Sequence, residues 1–296
     1  MSDVQAHNNE YFNKKAEEYD SMPQALEITK RACDIIIKEY TAATSEDHVK
    51  NASVLDFGCG TGLVALRLAP DVKHVLGVDA SEGMLQHLNH KLSTREEYAA
   101  VRGKVHTVQH LVTEDEPLPE SETSKYLSSS ADNEGGFDLV VSNYVMHHIE
   151  DVQGVINTMA RKLVKKDGWL IIIDLEGGHQ HHHGDHGDHH NHQKNQEQQG
   201  QHHHHHHHHH QHHHQHGEKK EECHKAQDNH TAFVDENGKP LECVAHKNGF
   251  TLEGFAEIFK NAGLVDVSVT HAYGINMQRH GKEAWADAFM AKGRRA

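Results

Sequence analysis

Short apolar runs alternate with amphipathic stretches along the middle of the chain, from Ser53 to about Leu175. An apolar run of about four to eight residues indicates a buried strand, and apolar residues three or four positions apart indicate a helix. Their alternation is typical of a parallel sheet with helices on both faces. The predicted strands of this region are residues 53–57, 74–79, 104–110, 137–143 and 169–175.

Helical spacing also occurs on both sides of this region. Residues 9–40 place Ile28, Ala32 and Ile35 on one face of a helix. Later, Thr251 is suited to cap a helix that ends at Gly263. Residues 114–136, rich in Ser, Glu and Pro, predict a surface loop. The remaining predicted helices are residues 63–69, 82–92 and 152–164, and the remaining predicted strands are residues 264–271 and 284–291.

A histidine-rich tract interrupts the apolar pattern at residues 176–243. Between His179 and His216 lie 21 of the 35 histidines, including an unbroken run from His202 to His210. Such a composition cannot bury a core, so we expect disorder. The predicted organisation is an N-terminal helical lid region at residues 1–50, a core at 51–175, the insertion at 176–243, and a completion of the same fold at 244–296.

The function of this insertion has two interpretations. Neutral imidazoles on a flexible chain bind Zn, Ni or Cu ions, which suggests metal buffering or metal regulation. The alternative is a repeat expansion without function in a tolerant surface loop, where added length costs little stability. An adventitious or regulatory metal on this tract is therefore one expectation, and no other part of the sequence predicts a metal site.

Charge and cysteine content exclude several classes of protein. The net charge of −15 and the absence of Lys and Arg clusters argue against a nucleic-acid partner. The four cysteines form no C-x-x-C pair, which favours a reducing compartment. Since no targeting segment or membrane-length apolar run occurs, we expect a protein without a membrane partner, located in the cytoplasm or the nucleus.

The clearest chemical motif follows the first predicted strand. Val54-Leu55-Asp56-Phe57-Gly58-Cys59-Gly60-Thr61-Gly62 runs from a buried strand into a glycine turn and then a helix. Its glycines allow positive φ and close approach of a ligand, and the helix start offers unpaired N–H groups. Leu63 stands where the dinucleotide pattern G-x-G-x-x-G needs glycine, which favours a ligand without a pyrophosphate.

A second signal lies seventeen residues beyond Gly62, where Val75-Leu76-Gly77-Val78-Asp79 ends a strand in a carboxylate. An acid at the end of the second strand is placed to accept both hydroxyls of a ribose. The glycine loop and Asp79 together predict a nucleoside-binding site. A structural glycine turn in another α/β protein is the alternative.

These residues resemble class I S-adenosylmethionine-dependent methyltransferases, nearest the type that acts in ubiquinone and menaquinone biosynthesis. The resemblance rests on Asp56–Gly62, on Asp79 followed by Ala80-Ser81-Glu82-Gly83-Met84-Leu85, and on Phe137-Asp138-Leu139-Val140-Val141-Ser142 followed by His147-His148. It spans about Tyr11 to Lys292, the insertion excepted. It implies a Rossmann-like, mostly parallel seven-stranded sheet with an antiparallel last strand and helices on both faces.

The resemblance also assigns roles in binding S-adenosylmethionine. The backbone around Gly58 and Gly60 holds the methionine end, Asp56 anchors the loop or the amino group, Asp79 binds the ribose and Met84 packs on the adenine. The other implied cofactor-binding residues are Cys59, Gly62, Ala80, Leu111, Asn143 and Tyr19.

One position departs from the family. The acid that usually contacts the adenine amine is missing, because Val108-Gln109-His110-Leu111-Val112 contains no carboxylate before Glu114 and Asp115. Either the register differs here or the backbone holds the adenine.

The acceptor side is predicted around Asn143 to Asp151. Transfer to oxygen or nitrogen often needs a base, and histidine suits that role near neutral pH. His147 and His148 are the candidates, with His147 preferred; a structural role at the helix start is the alternative for each. Tyr19 either closes over the cofactor or only docks its helix.

These observations predict a methyltransferase that acts on a small-molecule acceptor by in-line transfer, with a pocket completed by the segment after the insertion. In that segment His246 and Phe250 match a family stretch that returns to the pocket, or serve only in packing. The alternatives are a metal-binding protein on a scaffold without turnover and a protein methyltransferase.

Overall fold

The computed structural model describes residues 3–127, 135–177, 241–279 and 282–296. Of residues 176–243, where disorder and metal binding are predicted, residues 178–240 lie outside the described part of the chain. At the two ends of that tract, Glu176 belongs to a strand and Cys243 is buried. Residues 128–134 of the predicted loop also lie outside the described part.

Seven strands form one mixed sheet in the described residues, in the order β3-β2-β1-β4-β5-β7-β6. Strands β1 to β5 are parallel, whereas β7 runs antiparallel to both of its neighbours, β5 and β6. This confirms the predicted fold class, including its antiparallel last strand. The strands are β1 Ser53–Phe57, β2 His74–Asp79, β3 Val105–Gln109, β4 Phe137–Asn143, β5 Val164–Glu176, β6 Leu264–Arg279 and β7 Lys282–Arg295.

Helices surround the sheet. Those in the described residues are α1 Asp3–Tyr19, α2 Pro23–Ala43, α3 Glu46–Asn51, α4 Leu63–Leu68, α5 Glu82–Thr94, α6 Glu120–Glu122, α7 Val152–Thr158 and α8 Leu252–Asn261. Two 3₁₀ segments, Glu96–Val101 and Met146–His148, and two π-helical turns, Thr123–Leu127 and Met159–Leu163, complete the set.

Two apolar cores lie on opposite faces of the sheet. Successive strand residues alternate between them, so that Val54 belongs to one core and Leu55 to the other. Ile36 of α2 packs in the first core, and Phe255 of α8 packs in the second. Helices on both faces bury a sheet with apolar residues on both sides, which the continuous apolar runs predicted.

Several element limits differ from the prediction. The helical pattern of residues 9–40 is divided between α1 and α2, because Pro23 has no N–H and disfavours helical backbone in the residue before it. The helix predicted to reach residue 164 ends at Leu163, and Val164 already pairs with Phe137 in β5. The predicted loop contains helical turns at residues 120–127, where Tyr126 stacks on Phe137 at 5.1 Å.

Candidate functional site

The carboxyl ends of β1, β2, β4 and β5 meet at one edge of the sheet, where a cavity of about 680 Å³ opens. The strand order reverses between β1 and β4, and such a switch point leaves a crevice above the sheet. Helices α1 and α2 supply one wall of the cavity, and residues 241, 243 and 244 supply another part.

The glycine loop forms the floor of this cavity. Gly58, Gly60 and Gly62 all have positive φ, of 69°, 52° and 81°. The N–H groups of Gly58 and Cys59 donate to the Val78 carbonyl, which ties the loop to β2. A Cβ atom on Gly60 would meet no atom closer than Met84 Sδ at 4.0 Å, so this part of the loop faces open space.

Gly62 does not line the cavity, and it is packed tightly against α5. It is the N-cap of α4, and a Cβ atom there would lie 2.3 Å from Leu88 Cδ1. We expect Gly62→Ala to lower the free energy of unfolding by about 2 kcal/mol, because it adds backbone strain to a clash in the core. Urea unfolding measures this loss. The control is Gly103→Ala, whose added Cβ has no atom within 4 Å; an equal loss in both variants would contradict the account.

Asp79 fixes the loop from the end of β2. Its Oδ2 accepts a hydrogen bond from the Gly60 N–H at 2.8 Å, and its Oδ1 accepts one from the Ser81 N–H at 2.8 Å. Burial raises the pKa of this carboxyl, and the backbone N–H groups oppose that rise by stabilising the charge. The carboxylate therefore lines the cavity in a defined orientation.

Asp56, at the end of β1, is 1% exposed and also lines the cavity. Its Oδ2 has no hydrogen-bond donor among the described residues. Burial raises its pKa to about 7; a backbone hydrogen bond at Ala65 lowers it, and the charge of Asp79 raises it further. An unpaired buried carboxylate oxygen is costly, so this atom is suited to a cationic partner.

Other predicted cofactor residues gather at the same cavity. Asn143 Oδ1 is buried and has no donor among the described residues. The next residue, Tyr144, has a φ of 58°, which is uncommon for a bulky side chain and marks local strain at the end of β4. The remaining predicted residues that line the cavity are Cys59, Ala80, Met84, Leu111 and Tyr19.

The acid that usually contacts the adenine in this family would follow β3. Residues 110–112 line the cavity, whereas Glu114 and Asp115 do not. The structure thus brings no carboxylate of this loop to the cavity, and both interpretations of the departure from the family remain proposals.

A histidine and a carboxylate form a buried pair at the other side of the cavity. His147 Nδ1 lies 2.7 Å from Asp174 Oδ1, and both side chains are almost fully buried. Burial opposes ionisation of Asp174, but the His147 ring outweighs it, so the pKa of Asp174 lies below its usual range. The carboxylate also accepts hydrogen bonds from the N–H groups of Met146 and Leu175, at 2.7 Å each.

This pair fixes the state of His147. When Nδ1–H donates to a carboxylate, the neutral ring carries its basic lone pair on Nε2. His147 lines the cavity, as a proton acceptor for a bound molecule must. His148 also lines it, and its Nδ1 is hydrogen-bonded to the Cys243 carbonyl. A carbonyl carries no negative charge to stabilise an imidazolium, so the ring paired with Asp174 is the better candidate for a base.

Helix α1 and the residue that follows it contact the glycine loop and the start of α5. Asn13 Oδ1 accepts a hydrogen bond from the Gly83 N–H at 2.8 Å and lies 2.8 Å from Ser81 Oγ. Burial raises the pKa of Tyr19 to about 12, with Asp20 as the next cause, so its hydroxyl stays protonated. Immediately after α1, Asp20 accepts hydrogen bonds from Thr61 of the glycine loop and from the buried Lys91 of α5.

Several of these residues are not among the predicted site residues. Asp174 had a visible signal, because it is the one charged residue within the predicted strand 169–175. Asp20 and Asn13 had none, since their partners lie far away in the chain. Conversely, His246 and Phe250 do not line the cavity, and their rings pack together at 4.8 Å. Leu241 and Cys243 line it instead, although the prediction placed them in the insertion.

The described residues contain neither a candidate membrane span nor a candidate metal cluster. Within residues 3–127, 135–177, 241–279 and 282–296, no helix is long and apolar enough to cross a membrane. In the same part of the chain, no group of three or more His, Cys, Asp or Glu side chains is arranged to hold a metal ion.

Comparison with known proteins gives a consistent result. A family model described as a methyltransferase domain matches residues 27–269. An uncharacterized methyltransferase of Schizosaccharomyces pombe is 28% identical over 221 residues, which cover 62% of this chain and 70% of that protein. The ubiquinone biosynthesis O-methyltransferase of Pelagibacter ubique is 25% identical over 140 residues, which cover 47% of this chain and 49% of that protein.

Solved structures share the fold at low sequence identity. The magnesium protoporphyrin IX methyltransferase of Synechocystis PCC 6803, crystallised with bound S-adenosylhomocysteine, aligns with a TM-score of 0.53 at 13% identity and covers 99% of this chain and 100% of that one. The YcgJ protein of Bacillus subtilis aligns with a TM-score of 0.51 at 15% identity, covering 89% and 97%. In sequence, this chain spans about half the length of YcgJ and of several other curated relatives.

Proposed function

Because the chain belongs to the methyltransferase domain family, the class I enzymes whose methyl donor is S-adenosylmethionine, we propose that it methylates a small-molecule acceptor by in-line transfer. The acceptor binds in the cavity above β1, β4 and β5, beside the donor. The observation that carries this proposal is the combination of an unpaired buried carboxylate oxygen on Asp56 with the anchored carboxylate of Asp79 at one cavity.

The residues at this cavity fit S-adenosylmethionine. Its ammonium group supplies the cation that Asp56 Oδ2 lacks. Each Asp79 oxygen accepts one backbone N–H and keeps lone-pair capacity for a ribose hydroxyl. Open space at Gly60 leaves room for the methionine end, and Met84 and Leu111 provide apolar surface for the adenine.

The chemical demand on the chain is modest. The bound cofactor supplies a methyl group already activated by its positive sulfur. The chain contributes binding and alignment, which place the acceptor atom in line with the methyl group. His147 accepts the proton that the acceptor atom loses, and Asp174 stabilises the imidazolium that results.

The walls of the cavity support a small molecule as the acceptor. Apolar and aromatic residues of α1 and α2, among them Phe12 and Ile28, line it together with Val145 and Leu241. A volume of about 680 Å³ lies in the range of sites for cofactors and drug-sized ligands.

Calorimetric titration with S-adenosylmethionine tests the cofactor site. We expect binding in the micromolar range, roughly −8 kcal/mol. The product S-adenosylhomocysteine serves as a second ligand that cannot turn over. A folded protein that binds neither molecule would refute the proposal.

The pKa of Asp56 predicts a pH dependence of this binding. Its folded-state pKa of about 7 means that Asp56 is mostly protonated below that pH and no longer attracts the ammonium group. We expect the affinity for S-adenosylmethionine to fall about fivefold between pH 7 and pH 6, because its own ammonium group, with an ordinary α-amino pKa of about 7.7 to 8.0, stays mostly protonated in this range. Calorimetry at both values measures the change, and Asp56→Asn serves as control. Equal pH dependence in both proteins would exclude Asp56 as its source.

A further inference from the structure

Another buried oxygen without a donor among the described residues lies on the wall of the cavity that α1 supplies. Asn8 of α1 is 6% exposed and lines the cavity. No donor among the described residues reaches its Oδ1. Unlike Asp56 and Asn143, this residue belongs to none of the predicted cofactor contacts. A buried acceptor left unpaired is costly, which indicates a bound partner.

The orientation of this amide is determined by its other end. Asn8 Nδ2 donates to the His148 carbonyl at 3.0 Å. If the amide were flipped, its oxygen would face that carbonyl oxygen, and a hydrogen bond would be replaced by repulsion. Oδ1 is therefore the free end of the amide, and it can only accept a hydrogen bond.

The position of Asn8 separates it from the cofactor residues. Further along α1, Asn13 contacts Ser81 and Gly83 beside the ribose-binding carboxylate, whereas Asn8 lies about 7.5 Å away along the helix axis. At the Asn8 end, the Phe12 ring packs edge-on against His148 at 5.0 Å, and His148 packs on His147 at 4.1 Å. Asn8 thus contacts the residue that follows the proposed base.

The charges that line the cavity as a whole also restrict its ligand. The lysine that lines it, Lys15, forms an ion pair with Glu18 at 2.6 Å, and no arginine side chain of the described residues lines the cavity. An anionic acceptor would lose its hydration without gaining a dedicated cation. Aromatic and apolar neighbours such as Phe12 favour an uncharged ring instead.

We propose that Asn8 is a specificity-determining residue whose Oδ1 accepts a hydrogen bond from an O–H or N–H group of an acceptor that has an aromatic or apolar body and no carboxylate. This inference rests on the proposed methyl transfer, because it assigns the acceptor part of the same cavity. Acceptors that lack an O–H or N–H group, and acceptors that carry a carboxylate, are then discriminated against.

Saturation-transfer NMR on the protein saturated with S-adenosylhomocysteine tests this with three probes of one shape. p-Cresol offers a hydroxyl donor, 4-methylanisole has the same ring without a donor, and p-toluate is an anion. We expect p-cresol to bind about fivefold more tightly than 4-methylanisole, the value of one hydrogen bond, and more tightly than p-toluate. In Asn8→Leu the preference for p-cresol over 4-methylanisole should disappear.

The control Asn51→Leu makes the same chemical change at an exposed position of α3 and should keep the preference. The proposal is overturned if p-cresol does not bind, if either other probe binds as tightly, or if Asn8→Leu keeps the preference. If Asn8→Leu fails to bind S-adenosylhomocysteine because it misfolds, the comparison of the three probes on the unmodified protein still decides. Failure of the unmodified protein to bind S-adenosylhomocysteine would instead refute the proposed function.

Discussion

Asp79→Asn is expected to weaken the binding of S-adenosylmethionine about 100-fold or more. The two carboxylate oxygens of Asp79 each accept a backbone N–H, from Gly60 and from Ser81. An asparagine must present its NH₂ group to one of these donors, so one hydrogen bond is lost and two donors face each other. The charge that would hold the ribose hydroxyls is lost as well.

The magnitude follows from the value of hydrogen bonds to charged groups, about 1.5 to 3 kcal/mol each. Two weakened contacts exceed about 2.7 kcal/mol, which is 100-fold in affinity. Calorimetry measures the dissociation constant, and Glu82→Gln is a control that removes a neighbouring charge outside the cavity lining. Affinity within about threefold of the unmodified protein would mean that Asp79 does not hold the ribose.

His147→Gln is expected to slow methyl transfer about 100-fold to 10,000-fold, the usual contribution of a positioned base. Glutamine can still donate to Asp174, so the buried carboxylate keeps a partner and the fold is retained. It has no basic nitrogen to accept the acceptor's proton. The rate at which labelled methyl enters small molecules measures the effect.

Two controls distinguish a catalytic role of His147 from a structural one. Its affinity for S-adenosylhomocysteine should stay within about threefold of the original. His271→Gln changes another histidine paired with a carboxylate, Glu176 at 2.7 Å, outside the cavity lining, and should leave the rate unchanged. An unchanged rate in His147→Gln would show that the acceptor needs no base here, whereas a loss of cofactor binding would assign His147 a structural role.

The fold was predictable because its signals are local. Each strand of the parallel region is a short apolar run, and each covering helix repeats its apolar residues with the helical period. The family, the fold class, the enzyme class and the donor inferred from Asp56–Gly62 and Asp79 are confirmed by the family match and the sheet topology. The individual roles of these residues remain predictions that the variants above test.

The limits of elements were harder to predict, since tertiary contacts decide them. Strand β5 begins at Val164, five residues before the predicted start at Trp169, because Val164 pairs with Phe137 across a bulge. Pro23 was visible in the sequence, yet the apolar spacing on either side of it outweighed the break that it imposes.

The residues around the proposed acceptor site were even harder to predict from the sequence. The pairing of His147 with Asp174 joins residues 27 positions apart, and the contact of Asn8 with His148 joins residues 140 positions apart. No periodic pattern carries such information, because only the packing of α1 over the strand ends brings these side chains together. Asp20 is a similar case, since its partners lie on the glycine loop and on α5.

The most direct test of the proposed function follows the methyl group itself. The protein is incubated with methyl-labelled S-adenosylmethionine and a cell extract that has been divided into a small-molecule fraction and a protein fraction, with Asp79→Asn as the control. We expect label in the small-molecule fraction and, at a donor concentration near the dissociation constant, labelling slowed by a factor that approaches 100 with the variant. Label confined to the protein fraction, or no transfer to either fraction by protein that binds S-adenosylmethionine, would contradict the account.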